Sequence, residues 1–212
     1  MAESHTSRLF PHGDPRNGYV DYLRAADMVD NDEMRGFMSQ SRKTGADWKR
    51  LFRLGHPAMD RRKLAIRFKD VPALIQEGNR KPVRSPYEMG AESWDFLEIR
   101  PLKHVGKVME VMGATSFEDF SPKKGVRLLV ELLEFAERIS HDSVLHLLVG
   151  NALHSYALNT FSVHYEATPM EDREALIEKI RDLLARPTIE KALLGERRFA
   201  ILHGRKAVFD AQ

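Results

Sequence analysis

The chain has 212 residues and a formal net charge of +2, and hydrophobic and charged residues make up 42% and 30% of it. This length suffices for one domain with its own core, and the composition is typical of a globular protein. The absence of cysteine excludes disulfides, thiolate catalysis and cysteine-ligated zinc or iron–sulfur sites. The small net charge selects no class of partner.

The N-terminal half is predicted to form an arm followed by short helices. Residues 1–13 are mostly small or polar and are interpreted as a flexible arm. Asp14 and Pro15 have the pattern of a helix cap and a first helical residue. Apolar stripes at helical spacing predict further helices that begin near Asp32, Thr44, Pro57 and Pro72.

An irregular stretch, NRKPVRSPYEMG, follows at residues 79–90. Its two prolines disfavour helix, and each pushes the residue before it towards extended geometry. We expect this stretch to cross the surface as an extended strap. It is also the candidate boundary between two halves of a single helical domain that spans residues 14–212.

Amphipathic helices are predicted again in the C-terminal half. The first begins near Ala91, is kinked or split by Pro101 and ends at Gly113. Three others are predicted over residues 125–140, 169–186 and 187–209, where apolar residues recur every three or four positions. Thr168-Pro169-Met170-Glu171 has the spacing of a capping box at the start of the second of these helices.

The most apolar stretch, SVLHLLVGNALHSYALNTFSVHYE at residues 143–166, is predicted to be a central buried helix over about 143–165. It is too long for a strand, and a helix that is apolar on most faces is usually buried. A membrane span is disfavoured because polar residues interrupt the apolar run, namely His146, Asn151, His154 and Asn159. Gly150 and Ala157 share one face and suit close contact with neighbouring helices, which we expect at 125–140 and 169–186.

These patterns predict an all-α fold, a multi-helix array of antiparallel helical hairpins around that central helix. Three stretches carry a resemblance to a known family: Asn17 through Ala26, the segment ALIQEGNRKPVRSP, and the helix pair at 125–161. In these stretches the sequence resembles a family of uncharacterised all-helical bacterial proteins. The resemblance implies stacked helical hairpins and no particular chemistry.

Members of that family often carry an N-terminal export or membrane signal. The first residues of this chain contain no apolar segment of the kind that a secretory signal requires. A cytoplasmic location without a membrane span is therefore expected.

The histidines His141, His146 and His154 are the candidate metal ligands, and a metal-dependent hydrolase is one functional hypothesis. His146 and His154 are eight residues apart, which is about 12 Å along a helix axis, so they cannot share one ion without help from other helices. We expect His154 to be a hydrogen-bonded core residue and His141 a turn residue. No nucleophile elbow, S-x-x-K motif or phosphate loop is present, and the sequence predicts no enzyme activity, cofactor or bound metal.

A basic stretch with interleaved aromatic residues is a second functional candidate. Its cations, which could form a face that binds phosphate backbone, are Arg42, Lys43, Lys49, Arg50, Arg53, Arg61, Arg62, Lys63, Arg67, Lys69, Arg80, Lys81 and Arg84. Trp48 and Phe52 are four residues apart, however, which is also the pattern of a core helix whose cations face water.

The leading functional hypothesis is a non-enzymatic helical scaffold or interaction subunit that binds a protein partner or copies of itself. It rests on abundant amphipathic helix without a chemical motif. The alternative is a nucleic-acid-associated accessory protein that uses the basic region at 42–84. An uncovered apolar face on the helix at 187–209 would mark a binding interface.

Overall fold

The computed structural model describes residues 14–43, 58–86, 98–141 and 143–209, together with Ser4, Thr6, Leu9 and Phe96. This part of the chain forms nine helices and no strand, which confirms the all-α prediction. The helices, α1 to α9 in chain order, are Gly18–Val29, Asp32–Lys43, Ala58–Arg67, Val71–Arg80, Ile99–Glu118, Pro122–Ile139, Val144–His164, Met170–Leu184 and Thr188–Phe209. The helix predicted near Thr44 lies outside the described residues.

Helix α5 is deeply buried. It packs against α1, α3, α6 and α7, and the side chains of Leu102, Val105 and Met109 are fully buried. Pro101 does not interrupt this helix, and the prediction that Gly113 ends it is wrong. Pro101 lies in the first turn of the helix, where backbone N–H groups have no partner within the helix, so a residue without an N–H loses no hydrogen bond there. Gly113 lies within the helix, which continues for five further residues to Glu118.

The predicted central helix forms as α7, but only one of its faces is buried. The inner face, with Val149, Leu153 and Ala157, packs against α5 and α6. Gly150 lies at a close contact with α6, as its position in the sequence predicted: an added Cβ would be 1.8 Å from Ser140 Oγ. The third neighbour of α7 is α9, whereas α8, the expected neighbour, packs on α6.

The strap is described through residue 86 and is tied to the start of α1 by Asn17. The Asn17 side chain donates to the carbonyl of Arg84 (2.7 Å) and accepts from the backbone N–H of Arg84 (3.0 Å). It also accepts from the N–H of Tyr19 (3.1 Å) and is therefore the helix cap. The N–H of Gly18 donates to the Pro82 carbonyl (2.9 Å). The strap thus closes over the N-terminus of α1.

Most of the predicted arm at 1–13 and the strap residues 87–90 lie outside the described residues, so the arm and the sub-boundary at 79–90 stay predictions. In the described part of the arm, Thr6 Oγ1 donates to Asp27 Oδ2 (2.7 Å) and Leu9 is buried. Over the ranges that the structure covers, none of the helices has the length and apolar character needed to cross a membrane.

Candidate functional site

His146 lies in the core, in a polar cluster that the sequence did not reveal. Its Nδ1 is 2.9 Å from Ser143 Oγ, and its Nε2 is 3.5 Å from Glu98 Oε1 and 3.4 Å from the Tyr19 hydroxyl. Serine, histidine and carboxylate in this order are the chemical components of a hydrolase triad. The sequence did not predict that Glu98 contacts His146, because the two residues are far apart in the chain. Ser143 was not predicted either, because it is in no recognisable catalytic motif.

The cluster is closed to solvent. Ser143 is 1% exposed, and His146 and Glu98 are fully buried. The Ser143 Oγ also accepts the backbone N–H of His146 (3.3 Å) and so caps α7. A nucleophile must reach its substrate, so this geometry suits a structural role: it joins the start of α7 to α1 and to the residue that precedes α5.

The other two candidate metal ligands lie in separate environments. His141 Nε2 is 3.0 Å from Glu137 Oε1, and the Thr188 hydroxyl donates to both oxygens of the same carboxylate (2.8 and 2.9 Å). Burial opposes ionisation of Glu137, but these hydrogen bonds outweigh it and lower its pKa. His154 lines a surface groove, and burial lowers its pKa. Among the described side chains, no three histidines or carboxylates are placed to hold one metal ion.

In the basic region some of the described cations are exposed to solvent, and others form ion pairs with carboxylates. The side chains of five candidate cations lie outside the described residues: Arg42, Lys43, Lys49, Arg50 and Arg53. Arg61 is buried and pairs with Glu118, and the neighbouring Arg62 pairs with Asp119 (2.6 Å). These two pairs attach α3 to the end of α5, so they serve packing between helices.

Further along the stretch, carboxylates also neutralise several cations. Further ion pairs are Arg67–Glu33 (3.5 Å), Arg80–Glu77 (4.0 Å), Lys81–Asp21 (2.7 Å) and Lys81–Glu77 (3.3 Å). Lys63, Lys69 and Arg84 are exposed. The described part of the region therefore alternates paired and exposed charges, which does not form the continuous basic track that phosphate backbone favours.

The helix predicted at 187–209 has exposed apolar residues. As α9 it packs against α7, and over residues 188–198 its buried residues are the small ones, Ala192 and Gly195. The large apolar side chains within those residues are exposed, Leu193 by 57% and Leu194 by 53%. Because residues on a helix are separated by about 100°, these two leucines flank the side opposite the buried strip.

Exposed apolar side chains are concentrated on α7 and α9. We define the apolar face as the exposed residues Val144, Leu145, Leu148, Leu158, Ile189, Leu193, Leu194 and Ile201. The start of α7 is joined to the middle of α9, because the N–H of Val144 donates to Glu196 Oε1 (2.8 Å). This face explains why α7 is apolar on all sides in the sequence although one side is not covered.

A groove of about 680 Å³ lies beside the apolar face, between α6, α7, α8 and α9. Its walls are mainly apolar and include Leu147, Leu158, Ile180, Leu183 and Ile189. The lining also includes the polar residues Glu137, Asn151, His154, Ser155, Arg186, Thr188 and Glu190. A groove of this volume whose wall surface is mainly apolar can take apolar side chains of a bound partner.

An ion-pair cluster centred on Glu134 connects α6 and α8, two of the helices that form the groove. Glu134 pairs with Lys179 and Arg186 (3.3 Å) near α8 and with Arg138 (3.0 Å) on its own helix. Burial alone would raise the pKa of Glu134, but the hydrogen bond and charge of Lys179 outweigh it and the pKa lies below its ordinary value. The carboxylate is therefore charged at neutral pH and fixes α8 against α6.

Comparisons with protein-family models, curated proteins and solved structures find no match.

Proposed function

We propose that this chain is a non-enzymatic helical interaction protein that binds the apolar surface of a protein partner or of a second copy through the apolar face. A single exposed leucine needs no explanation, since more than half of an ordinary protein surface is apolar. The observation that carries the proposal is repetition: Leu145, Leu148, Leu193 and Leu194 are all about half exposed on two neighbouring helices. Extended exposed apolar patches mark binding surfaces.

The groove beside the apolar face indicates how a partner would bind. An amphipathic helix binds in such a groove by inserting side chains spaced three or four residues apart. The apolar walls formed by Leu147 and Ile189 accept such side chains. The fixed ion pairs around Glu134 keep the walls in place before binding, which reduces the entropy lost on association.

Two other functions receive less support from the geometry. The Ser143–His146–Glu98 cluster is buried and has a structural role in capping α7, so it does not favour hydrolysis. The ion pairs of Arg61 and Arg62 reduce the positive charge that nucleic acid binding would use.

The double substitution Leu148→Lys with Leu193→Lys is expected to weaken binding of the partner or of the second copy at least about tenfold. Burial of a leucine contributes about 1.5–3 kcal/mol, and each tenfold in affinity corresponds to about 1.4 kcal/mol. Sedimentation velocity measures self-association, and recovery of proteins from native extract measures partner binding. Both substitutions are on exposed positions and should leave the melting temperature nearly unchanged.

Met28→Lys is the matched control, because Met28 is exposed but lies on α1. It should bind as the wild type does. A wild-type chain that is monomeric at all concentrations and recovers no partner, or one whose binding survives the double substitution, would contradict the proposal. Salt-sensitive retention on DNA or RNA that is lost in Lys63→Glu with Lys69→Glu would favour the nucleic-acid alternative.

A further inference from the structure

The corner between α5 and α6 contains a phenylalanine in an unusual backbone conformation. Phe120 follows the end of α5 and has φ of 56°. Its N–H donates to the Phe117 carbonyl (3.2 Å), and the N–H of Ser121 donates to the Ser116 carbonyl (2.8 Å). This pair of hydrogen bonds is the motif that commonly closes a helix, and glycine usually occupies the left-handed position.

The side chain of Phe120 contributes nothing to folding at this position. Its Cβ is disfavoured by the left-handed backbone, and the residue is 95% exposed, so its ring gains no burial. A glycine would form the same turn without strain. A residue that breaks a local folding rule without a gain inside the fold points to a function outside the monomer.

A second exposed apolar residue lies beside this corner. Ile66 of α3 is 73% exposed and lines a groove of about 560 Å³ together with Asp119 and Ser121, the two neighbours of Phe120. The same groove is lined by Lys69 and Lys124. Two large apolar side chains therefore project from a surface that also carries cations.

The local charge is positive. The carboxylates at the end of α5, Glu118 and Asp119, are paired with Arg61 and Arg62. Four lysines of this surface are exposed and form no ion pair among the residues that the structure describes: Lys63, Lys69, Lys123 and Lys124. The last two lie in the first turn of α6, where positive charge opposes the helix dipole. Their position, too, does not serve folding.

We propose that this corner attaches the protein to an anionic membrane surface, with Phe120 and Ile66 entering the lipid interface and Lys69, Lys123 and Lys124 contacting anionic headgroups. Apolar side chains surrounded by lysines match an interface whose headgroups are negative and whose interior is apolar. Ile66 favours lipid over nucleic acid, because an aliphatic side chain cannot stack on bases as aromatic rings do. The surface is separate from the apolar face of α7 and α9.

Phe120→Gly provides the sharpest test, because it is expected to change binding and stability in opposite directions. The probe is the full chain, sedimented with phosphatidylcholine vesicles with and without phosphatidylserine. Wild type should bind the anionic vesicles, and Phe120→Gly should bind them about tenfold more weakly, since one buried phenylalanine is lost. The melting temperature of the variant should rise by roughly 2–4 °C because the strained position is relieved.

Three further variants separate the two parts of the surface. Phe120→Trp should retain binding, and Lys123→Glu with Lys124→Glu should lower it at least about tenfold with a weaker dependence on salt. Leu193→Gln, on the apolar face, should bind vesicles as the wild type does. The proposal is overturned if wild type ignores anionic vesicles, if Phe120→Gly binds them undiminished, or if single-stranded nucleic acid is bound through Phe120 in their place.

Discussion

Replacing Gly150 by alanine is expected to lower the free energy of unfolding by about 3 kcal/mol, because the added methyl group has no space. Its carbon would lie 1.8 Å from Ser140 Oγ and 2.7 Å from the carbonyl oxygen of Ala136. The serine hydroxyl could rotate, but it already donates to that carbonyl (2.6 Å). The carbonyl belongs to the α6 backbone, so α6 and α7 must separate.

Gly36→Ala is the matched control for this prediction. Gly36 is also inside a helix, α2, but a Cβ there would meet no atom within 4 Å. Alanine should raise stability at this position by up to ~1 kcal/mol, because it has the higher helix propensity. Urea denaturation followed by circular dichroism measures both variants. If Gly150→Ala proves as harmless as Gly36→Ala, the close contact of α6 and α7 is wrong.

Stability is expected to fall between about pH 6.5 and pH 4, and His104 should be the largest single cause. Burial, assisted by the charge of Arg100, lowers the pKa of His104 to about 4. The charges of Asp30, Lys103 and Arg35 also act on this histidine. Because an unfolded histidine has a pKa near 6.5, the unfolded state binds the proton more readily in this range.

The contribution of His104 is therefore complete above about pH 6.5 and is lost as the pH falls towards 4. The loss of stability amounts to about 2 kcal/mol at pH 5 and about 3 kcal/mol at pH 4. The pKa values of His154 and His164 are lowered by burial and add losses of the same sign. Carboxylates with lowered pKa values, such as Glu137, lose their contribution only at lower pH.

His104→Leu should reduce the difference in unfolding free energy between about pH 7.5 and pH 5 by about 2 kcal/mol. The measurement is urea denaturation at the two pH values, so a constant change in stability caused by the new side chain cancels. A variant that keeps the full pH dependence of the wild type would show that His104 titrates in the folded state as it does in the unfolded chain.

Local sequence patterns predicted most helices because their apolar stripes reflect real burial. The stripe of α6 faces the core, with Leu129, Leu133 and Ile139 buried as expected. Ser121-Pro122 marks the start of that helix. The prediction of a capping box at Thr168 was wrong. The Thr168 hydroxyl donates to the His164 carbonyl and does not cap α8. A threonine hydroxyl can bond either to the helix that follows it or to the helix that precedes it, and the spacing of residues does not show which bond forms.

The sequence pattern could not predict contacts between residues that are far apart in the chain. The proximity of Glu98 to His146, and of Arg61 to Glu118, depends on how distant helices pack. Periodicity likewise does not reveal which apolar faces lack a partner, so α7 suggested complete burial although one of its sides is exposed. The exposure of Phe120 in a left-handed turn required coordinates for the same reason.

The attachment of the first half of α9 has a consequence for amide hydrogen exchange. Over residues 188–198 the helix buries the small residues Ala192 and Gly195, and its first turn is held by the bonds from Thr188 to Glu137. A segment with so little buried apolar surface opens without global unfolding. Its backbone amides should therefore exchange with solvent faster than those of α5, and a bound partner would slow them by closing this opening.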